Sequence, residues 1–279
     1  KGGVYGRNEA TGRGVYFAIT EFLKRPNECK KIGLSNQIED QKVIIHGFGN
    51  VGYYAAKFLS ESGAKIIGII ERNGSIINEK GINIESSKKH FERKGTLEGF
   101  KGFTKTRNRL LTKECDILIP SSIENIININ NAKNIKAKLI VEGANGPVTI
   151  AADKILQKKG VSVIPDFYAN SGGVVVSYFE WVKNLSKIRY GMMQEREEEK
   201  RQANLISALE VMTEKSIPEK LKSEIVKGST EIDLVRSGLE EKMSETFELV
   251  HEKFHSDKKI KDYRTAALMI SVKKIADAY

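Results

Sequence analysis

The sequence contains few cysteines and no long apolar segment. Its two cysteines, Cys29 and Cys115, lie far apart and form no CxxC pair. This pattern argues against a disulfide scaffold or a zinc ribbon and indicates a reducing compartment, for which we expect the cytoplasm. No apolar run approaches the length of about 20 residues that spans a bilayer, so we expect no membrane partner.

Histidine is scarce, and there is no excess of acidic residues. His251 and His255 have helical spacing, but no third ligand lies near them in the sequence, so no metal site is predicted. The chain has 46 Lys and Arg against 36 Asp and Glu, a formal net charge of +10. Basic proteins can bind nucleic acid, but the lysines often alternate with glutamates, as on a solvated helix face, and no RNA- or DNA-binding signature occurs. We therefore expect no nucleic-acid partner.

The 279 residues, 40% of them hydrophobic, are enough to bury a sizeable core. Short β-branched runs alternate with helical or charged stretches, and they cover 43–46, 64–70, 115–120, 137–143 and 161–165. Because parallel strands need a crossover between them, this alternation predicts an α/β fold with a doubly wound, mostly parallel sheet.

Beyond about residue 171 the strand-like runs end. Helical patterns then cover 174–185, 194–215, 219–226, 231–256 and 263–278. The pattern predicts a Rossmann-like domain over 1–185, followed by a C-terminal helical extension over 186–279.

The glycine motif at 47–52, GFGNVG, fits the pattern GxGxxG and lies between a β-branched run and a helical stretch. In this context Gly47 allows a tight turn and Gly49 allows backbone amides to approach a pyrophosphate. Gly52 allows close packing of the helix on the strand. The helix N-terminus would then face the phosphates with its partial positive charge. The motif predicts a dinucleotide site.

Glu71 ends the second predicted strand, where a carboxylate accepts the ribose hydroxyls of an adenosine and repels a 2′-phosphate. Arg72 follows it, and its guanidinium either pairs with Glu71 or reaches a 2′-phosphate. We favour NAD as the cofactor and keep NADP as the alternative.

Five motifs occur in a fixed order along the chain: GRNEATGRGV (6–15), GFGNVG (47–52), CDILIP (115–120), VEGANGP (141–147) and NSGGVVVSYFEW (170–181). This ordered set resembles the cofactor-binding portion of the amino-acid dehydrogenase family, and of its glutamate dehydrogenases in particular. The resemblance covers essentially the whole chain. It implies NAD(P)-dependent, reversible oxidative deamination of L-glutamate to 2-oxoglutarate and ammonia.

The resemblance also assigns residue roles in the cofactor site. Arg7 and Thr11 belong to the nicotinamide end, Asn145 lies by the nicotinamide ribose and Asn170 bonds the nicotinamide carboxamide. Ser121 and Ser122 border the adenosine, with their backbone rather than their hydroxyls as the expected contact. The cofactor set implied by the motifs is Arg7, Thr11, Gly47, Phe48, Gly49, Asn50, Val51, Glu71, Arg72, Ser121, Ser122, Asn145 and Asn170.

For the substrate, the resemblance implies that Ser177 holds the side-chain carboxylate of glutamate and that Val174 shapes the pocket. From the residues alone, the favoured interpretation of Ser177 is a hydrogen bond to the carbonyl of Gly173 one turn earlier. Two alternatives stay open. One is a branched-chain or aromatic amino-acid dehydrogenase, which Ser177 disfavours; the other is a module that binds a dinucleotide without turnover.

The chain begins at Lys1 rather than Met, so we expect its natural start to lie upstream. Lys1 directly precedes the GRxxATGRG segment and does not match the catalytic lysine of the family. The resemblance therefore implies that the catalytic lysine and aspartate, and the substrate domain, lie upstream of this chain. It implies that this portion alone is inactive, that the helical extension packs toward the substrate domain, and that the complete protein is a homo-hexamer, with the mitochondrion as an alternative compartment.

Overall fold

The computed structural model describes residues 3–106, 108–188 and 190–279, which form two compact units. The helical unit contains the described residues up to Arg7 together with Val175–Leu239, and the sheet unit contains Asn8–Val174 and Glu240–Tyr279. The predicted boundary between a Rossmann-like domain (1–185) and a helical extension (186–279) stays a prediction.

The described residues form a seven-stranded sheet within the sheet unit, in the order β4-β3-β2-β1-β5-β6-β7. The strands are β1 (Lys42–His46), β2 (Lys65–Glu71), β3 (Gly74–Ile77), β4 (Phe103–Thr104), β5 (Ile117–Pro120), β6 (Leu139–Val141) and β7 (Ser162–Ile164). Strands β2, β1, β5, β6 and β7 are parallel neighbours. The prediction of a doubly wound, mostly parallel sheet is confirmed.

The two strands absent from the sequence prediction, β3 and β4, extend one edge of the sheet in antiparallel fashion. They contain only four and two residues, and neither lies in a continuous apolar run like those that predicted the other strands. A tight turn after Glu71 reverses the chain, and Gly74 has the φ of +152° that this reversal requires.

The helices match the sequence prediction closely in the C-terminal part of the chain. Their bounds are α1 (Ala10–Leu23), α2 (Pro26–Lys31), α3 (Asn50–Glu61), α4 (Ile84–Lys94), α5 (Asn108–Leu111), α6 (Ile150–Lys158), α7 (Asp166–Ala169), α8 (Gly172–Ser186), α9 (Met192–Thr213), α10 (Glu219–Val226), α11 (Glu231–Ser256) and α12 (Tyr263–Ala276). None of the helices in the described part of the chain is long and apolar enough to cross a membrane.

Fully buried aliphatic side chains on the central strands form the core of the sheet unit, as at Ile44, Ile67, Leu118 and Ile140. Such strands are buried on both faces and therefore read as continuous apolar runs in the sequence. This burial gives the carboxyl ends of the strands a rigid base.

In the helical unit, a buried ion pair joins α8 to the start of α11. Lys183 Nζ lies 2.7 and 3.0 Å from the two carboxylate oxygens of Glu231, and it also donates to the carbonyl oxygen of Gly3. Glu231 is only 4% exposed, so the carboxylate needs this compensation.

Candidate functional site

Most of the predicted cofactor residues follow the carboxyl ends of parallel strands. The glycine turn follows β1, Glu71 ends β2, and Ser121 and Ser122 follow β5. The chain leaves β1 toward β2 on one side and returns to β5 on the other, which makes the β1–β5 boundary the switch point of the sheet. Open α/β sheets bind ligands at that position, outside the carboxyl ends of the strands.

Two glycines of the turn are required by the protein's own packing. Gly47 has a φ of +97°, and a Cβ there would lie 2.7 Å from the Cβ of Ser122. At Gly52 a Cβ would lie 1.9 Å from the carbonyl oxygen of Gly47. The turn and the close approach of α3 therefore exclude any side chain at both positions, as the motif predicts.

Gly49 is different, because nothing in the described protein explains it. A Cβ at this position would have no heavy atom within 4 Å, and its φ of −69° suits any residue. Gly49 is also the N-cap of α3 and offers no side chain to the first amides of that helix. A side-chain cap is present on α4, α6 and α12, from Asn83, Thr149 and Asp262. In the described chain it is lacking on α1, α2, α7, α9 and α10 as on α3, so the open space at Gly49 is the distinguishing feature. The open space and the uncapped amides at Gly49 fit an anionic group that approaches the backbone closely.

The next residues of α3 complete this surface. Asn50 is exposed, and Val51 is half-buried. A Cβ at Gly143, in the loop after β6, would lie 3.2 Å from Cγ1 of Val51, so the two segments run side by side. The glycine turn and the loop after β6 thus form adjoining parts of one edge of the sheet.

The side chain of Phe48 faces away from this edge. Its ring is fully buried and makes edge-to-face contacts with Tyr53 and Phe91. Its backbone amide donates a hydrogen bond to Oε1 of Glu71. Phe48 can therefore contribute only backbone atoms to a cofactor site.

Glu71 is held against the glycine turn by this hydrogen bond, and its Oε2 accepts a 3.1 Å hydrogen bond from the backbone amide of Arg72. One carboxylate oxygen of Glu71 thus bonds the glycine turn, and the other bonds the backbone just after β2. The side chain of Arg72 is exposed, and among the residues that the structure describes it has no carboxylate partner within ion-pair distance. A carboxylate and a guanidinium thus lie side by side at the end of β2.

The hydroxyls of Ser121 and Ser122 form hydrogen bonds with the end of β1 and the glycine turn. Ser121 Oγ lies 3.0 Å from the carbonyl oxygen of His46 and 3.1 Å from that of Gly47. Ser122 Oγ shares a hydrogen bond with Nδ1 of His46, a buried ring. These contacts support the expectation that the backbone of the two serines, rather than their hydroxyls, borders the ligand.

Asn145 and Asn170, far apart in the sequence, meet at the carboxyl edge. Nδ2 of Asn170 donates a 2.8 Å hydrogen bond to Oδ1 of Asn145. Asn145 is exposed after β6, and Asn170 caps the C-terminus of α7. The remaining hydrogen-bonding atoms of both amides lie at the same edge as the glycine turn.

Thr11 packs against the first turn of α8. A Cβ at Gly173 would lie 2.4 Å from Oγ1 of Thr11, and one at Gly172 would lie 2.3 Å from the carbonyl oxygen of Ala10. The glycine pair is therefore required by the packing of α8 on α1. Val174, which follows, is 72% exposed.

Arg7 and Ser177 belong to the helical unit. Nη1 of Arg7 forms an ion pair with Oε2 of Glu180 on α8, and the arginine is partly exposed. Ser177 lies on α8 and is half-buried. The neighbouring apolar side chains Tyr178 and Trp181 are more than half exposed, so this face of α8 is not core in the described chain.

Sequence reasoning missed a group of charged residues beside the Asn145 loop. Nη2 of Arg264 donates to Oε1 of Glu142 at 2.7 Å, and its Nε donates to Oδ2 of Asp153 at 3.0 Å. Glu142 is completely buried. Burial raises the pKa of Glu142, and the Arg264 guanidinium opposes that rise. Burial alone would lower the pKa of Arg264, but the carboxylates of Glu142 and Asp153 reverse this effect and raise it.

The sequence gives one signal for this group. Glu142 directly follows the apolar run of β6, where a buried carboxylate needs a cationic partner. The pattern does not say which arginine or lysine supplies it.

Comparison with known proteins shows which of them this chain resembles. A family model described as Glutamate/Leucine/Phenylalanine/Valine dehydrogenase matches residues 2–230. A probable glutamate dehydrogenase of Sinorhizobium fredii is 45% identical over 280 residues, which cover 99% of this chain and 63% of that protein. An NADP-specific glutamate dehydrogenase of Saccharolobus shibatae is 47% identical over 186 residues, which cover 66% of this chain and 42% of that protein.

The fold agrees with these matches. A crystal structure of glutamate dehydrogenase from Peptoniphilus asaccharolyticus superimposes with a TM-score of 0.67 at 28% identity, and it covers 99% of this chain and 53% of that one. The chain therefore spans between about two fifths and two thirds of the length of these relatives.

Proposed function

The chain belongs to the Glutamate/Leucine/Phenylalanine/Valine dehydrogenase family, and on that premise we propose that it supplies the dinucleotide site of a glutamate dehydrogenase. The complete enzyme would catalyse the NAD(P)-dependent oxidative deamination of L-glutamate to 2-oxoglutarate and ammonia. The catalytic lysine and aspartate would come from outside this chain.

The observation that carries the proposal is the environment of Gly49. The fold leaves room for a side chain at position 49, yet the residue there is glycine. The first amides of α3 also receive no hydrogen bond from a capping side chain. Backbone amides at a helix N-terminus, with the partial positive charge of the helix dipole, bind phosphate groups. A pyrophosphate fits this place through Gly49, Asn50 and Val51.

The remaining roles extend from that anchor along the carboxyl edge. Glu71 would accept the hydroxyls of the adenine ribose, and the backbone at Ser121 and Ser122 would border the adenosine. Asn145 would orient the nicotinamide ribose and Asn170 the carboxamide, with Thr11 and Arg7 at the same end. A bound dinucleotide would supply the hydride acceptor, and these residues would hold and orient it.

We propose NAD as the preferred cofactor. A carboxylate at the end of β2 repels a 2′-phosphate, and Glu71 is fixed in that position by the amides of Phe48 and Arg72. The guanidinium of Arg72, which is exposed beside Glu71, would attract the 2′-phosphate of NADP, but more weakly than Glu71 repels it.

For the substrate, we propose that Ser177 binds the side-chain carboxylate of glutamate and that Val174 shapes the pocket. A hydroxyl close to the N-terminus of α8 suits an anionic group, because the helix dipole favours negative charge there. A pocket for a branched-chain or aromatic side chain has no use for a hydroxyl at that position.

The proposal is tested at two levels. This chain is titrated with NADH and NADPH, and saturable binding of either supports the dinucleotide site. The complete protein is then assayed for glutamate-dependent NAD(P)H production. Binding without turnover of any 2-amino acid by the complete protein would identify a non-catalytic binding module instead.

The complete protein is further proposed to be a homo-hexamer, which light scattering checks. The proposed cytoplasmic compartment is consistent with two buried cysteines that form no disulfide.

A further inference from the structure

The guanidinium of Arg264 lies among three carboxylates from three separate elements of the sheet unit. It bonds Glu142 after β6 and Asp153 on α6, and its Nη1 lies 3.6 Å from Oδ1 of Asp166 at the start of α7. Arg264 itself belongs to the first turn of α12. One planar cation therefore joins four segments of the chain.

Two of these carboxylates, those of Glu142 and Asp166, also hold the backbone of the cofactor edge. Oε2 of Glu142 accepts a 2.8 Å hydrogen bond from the amide of Asp166. Oδ2 of Asp166 accepts a 2.7 Å hydrogen bond from the amide of Gly146, the residue after Asn145. Glu142 and Asp166 thus each direct one oxygen toward Arg264 and the other toward a backbone amide of the edge.

These contacts end on the two asparagines of the proposed nicotinamide site. Gly146 fixes the loop that carries Asn145, and Asp166 begins the short helix that Asn170 ends, with the Asn170 amide bonded to the Asp166 carbonyl at 2.9 Å. The side chains of Asn145 and Asn170 then bond each other. A shift of Arg264 would therefore be transmitted to both asparagines through the hydrogen bonds of Glu142 and Asp166.

A buried carboxylate is costly unless a charge compensates it, and aliphatic residues would fill the same space with less risk. Glu142, fully buried, and Asp153, 7% exposed, are therefore poor choices for stability alone. Charged groups with directional hydrogen bonds, in contrast, fix orientation more strictly than apolar packing does.

We propose that Arg264 is a positioning residue for the dinucleotide site, acting through Glu142 and Asp166 to hold Asn145 and Asn170 in their binding geometry. The inference rests on the proposed function, because the geometry has value only if a dinucleotide binds there. It assigns a role in cofactor binding to α12, whose residues lie outside the motifs that identify the family.

The test uses this chain with the substitutions Asp166→Asn and Arg264→Lys. Asparagine has one oxygen and no charge, so it either leaves the Gly146 amide unbonded or accepts a weaker, uncharged hydrogen bond from it and loses the ion pair with Arg264, with little change in shape. A lysine keeps the charge but lacks the planar fork that serves several carboxylates at once. The matched control is Lys138→Gln, because Lys138 forms a 2.7 Å ion pair with Asp116 at the opposite, amino edge of the sheet.

Two readouts are measured at a temperature where all four proteins are fully folded. The first is amide hydrogen exchange, resolved to single residues within 143–146. In this loop the amides of Gly143 and Ala144 bond the Pro120 carbonyl and serve as internal controls. The second is the dissociation constant for NADH.

We expect Asp166→Asn to accelerate exchange at Gly146 but not at Gly143, and both variants to raise the NADH dissociation constant about tenfold, the loss that follows from one unsatisfied group. The control should leave both readouts unchanged. NADH affinity in Asp166→Asn and Arg264→Lys equal to that of the unsubstituted chain would overturn the inference. If the unsubstituted chain bound neither NADH nor NADPH, the proposed function would be overturned instead.

Discussion

The side-chain amide of Asn170 donates a 2.8 Å hydrogen bond to the amide oxygen of Asn145. This contact joins the end of α7 to the loop after β6, two segments that are separated in the sequence by α6 and β7. The hydrogen bond engages the nitrogen of Asn170 and the oxygen of Asn145. It therefore fixes the directions in which the oxygen of Asn170 and the nitrogen of Asn145 point. The pair therefore presents one acceptor and one donor at the carboxyl edge of the sheet.

Replacement of Asn170 by alanine should weaken dinucleotide binding. The substitution removes both the proposed contact with the nicotinamide carboxamide and the support of Asn145. The dissociation constant for NADH should rise about 10-fold, which corresponds to the loss of a hydrogen bond to a buried partner. Asn130→Ala, at an exposed position after β5, is the control and should leave binding unchanged. If Asn170→Ala and Asn130→Ala bind NADH with equal affinity, Asn170 does not contribute to the dinucleotide site.

Glu71 and Arg72 should set the choice between the two cofactors. In a Glu71→Ser protein the repulsion of a 2′-phosphate is lost while Arg72 remains, so the ratio of NADPH to NADH affinity should rise by about tenfold or more. In Arg72→Ala the affinity for NADPH should fall and that for NADH should stay the same. Fluorescence titration with both cofactors measures the ratio. If Glu71→Ser leaves the ratio unchanged, the carboxylate does not contact the ribose.

Ser177 should determine the substrate of the complete protein. Ser177→Val replaces the hydroxyl with apolar methyl groups, so turnover of glutamate should fall while that of aliphatic amino acids should rise. Ser186→Val, near the end of α8, is the control on the same helix and should leave the preference unchanged. Initial rates with glutamate, leucine and valine give the comparison. Undiminished glutamate turnover in Ser177→Val would contradict the proposed role.

His251 should make the stability of the chain depend on pH. Burial lowers the pKa of His251 below its usual value of 6.5, and the nearby His255 and Arg25 lower it further. The unfolded chain therefore binds the proton more tightly than the folded one. The contribution of His251 to stability is complete above pH 6.5 and is lost as the pH falls through its folded-state pKa.

The expected observation is a melting temperature that decreases from pH 7 toward pH 5, with a smaller decrease in His251→Gln. Glutamine can still accept the hydrogen bond of the Tyr263 hydroxyl, which lies 3.1 Å from Nδ1 of His251. His90→Gln on α4 is the control. A pH dependence that is the same in His251→Gln and in the unsubstituted chain would show that other groups cause it.

The features that the sequence predicted well are those that local residues determine. The β-branched runs around 43–46 and 64–70 are buried strands because their residues favour that geometry wherever they pack, and Gly47 and Gly52 are required by contacts within a few residues. The short strands β3 and β4 escaped prediction because neither lies in a continuous apolar run of the sequence, whereas β5, β6 and β7, which are no longer than β3, do.

The charged group around Arg264 could not be predicted for a different reason. Its hydrogen bonds to Asp153 and Glu142 span 111 and 122 residues, so the pairing depends on the finished fold. The resemblance to a family directed attention to Ser121 and Ser122, whose hydroxyls turn out to bond His46 and Gly47. A motif identifies positions, but the direction of a side chain follows from its neighbours in space.

Two variants of the glycine turn separate what the fold requires from what a ligand requires. Gly52→Ala places a Cβ 1.9 Å from the Gly47 carbonyl oxygen and should lower the free energy of unfolding by on the order of 1–3 kcal/mol or more. Gly49→Ser has open space and should instead cap α3, raising the free energy of unfolding by a few tenths of a kcal/mol.

The serine at position 49 would bond the amides that a pyrophosphate needs, so stability and binding should change in opposite directions. NADH titration of the Gly49→Ser protein beside the unsubstituted chain, with the melting temperature of each, is the most direct measurement. We predict saturable binding by the unsubstituted chain. In Gly49→Ser we predict that the NADH affinity falls by about tenfold or more, while the melting temperature is unchanged or higher. Equal NADH affinity in the two proteins would contradict a dinucleotide site at this turn.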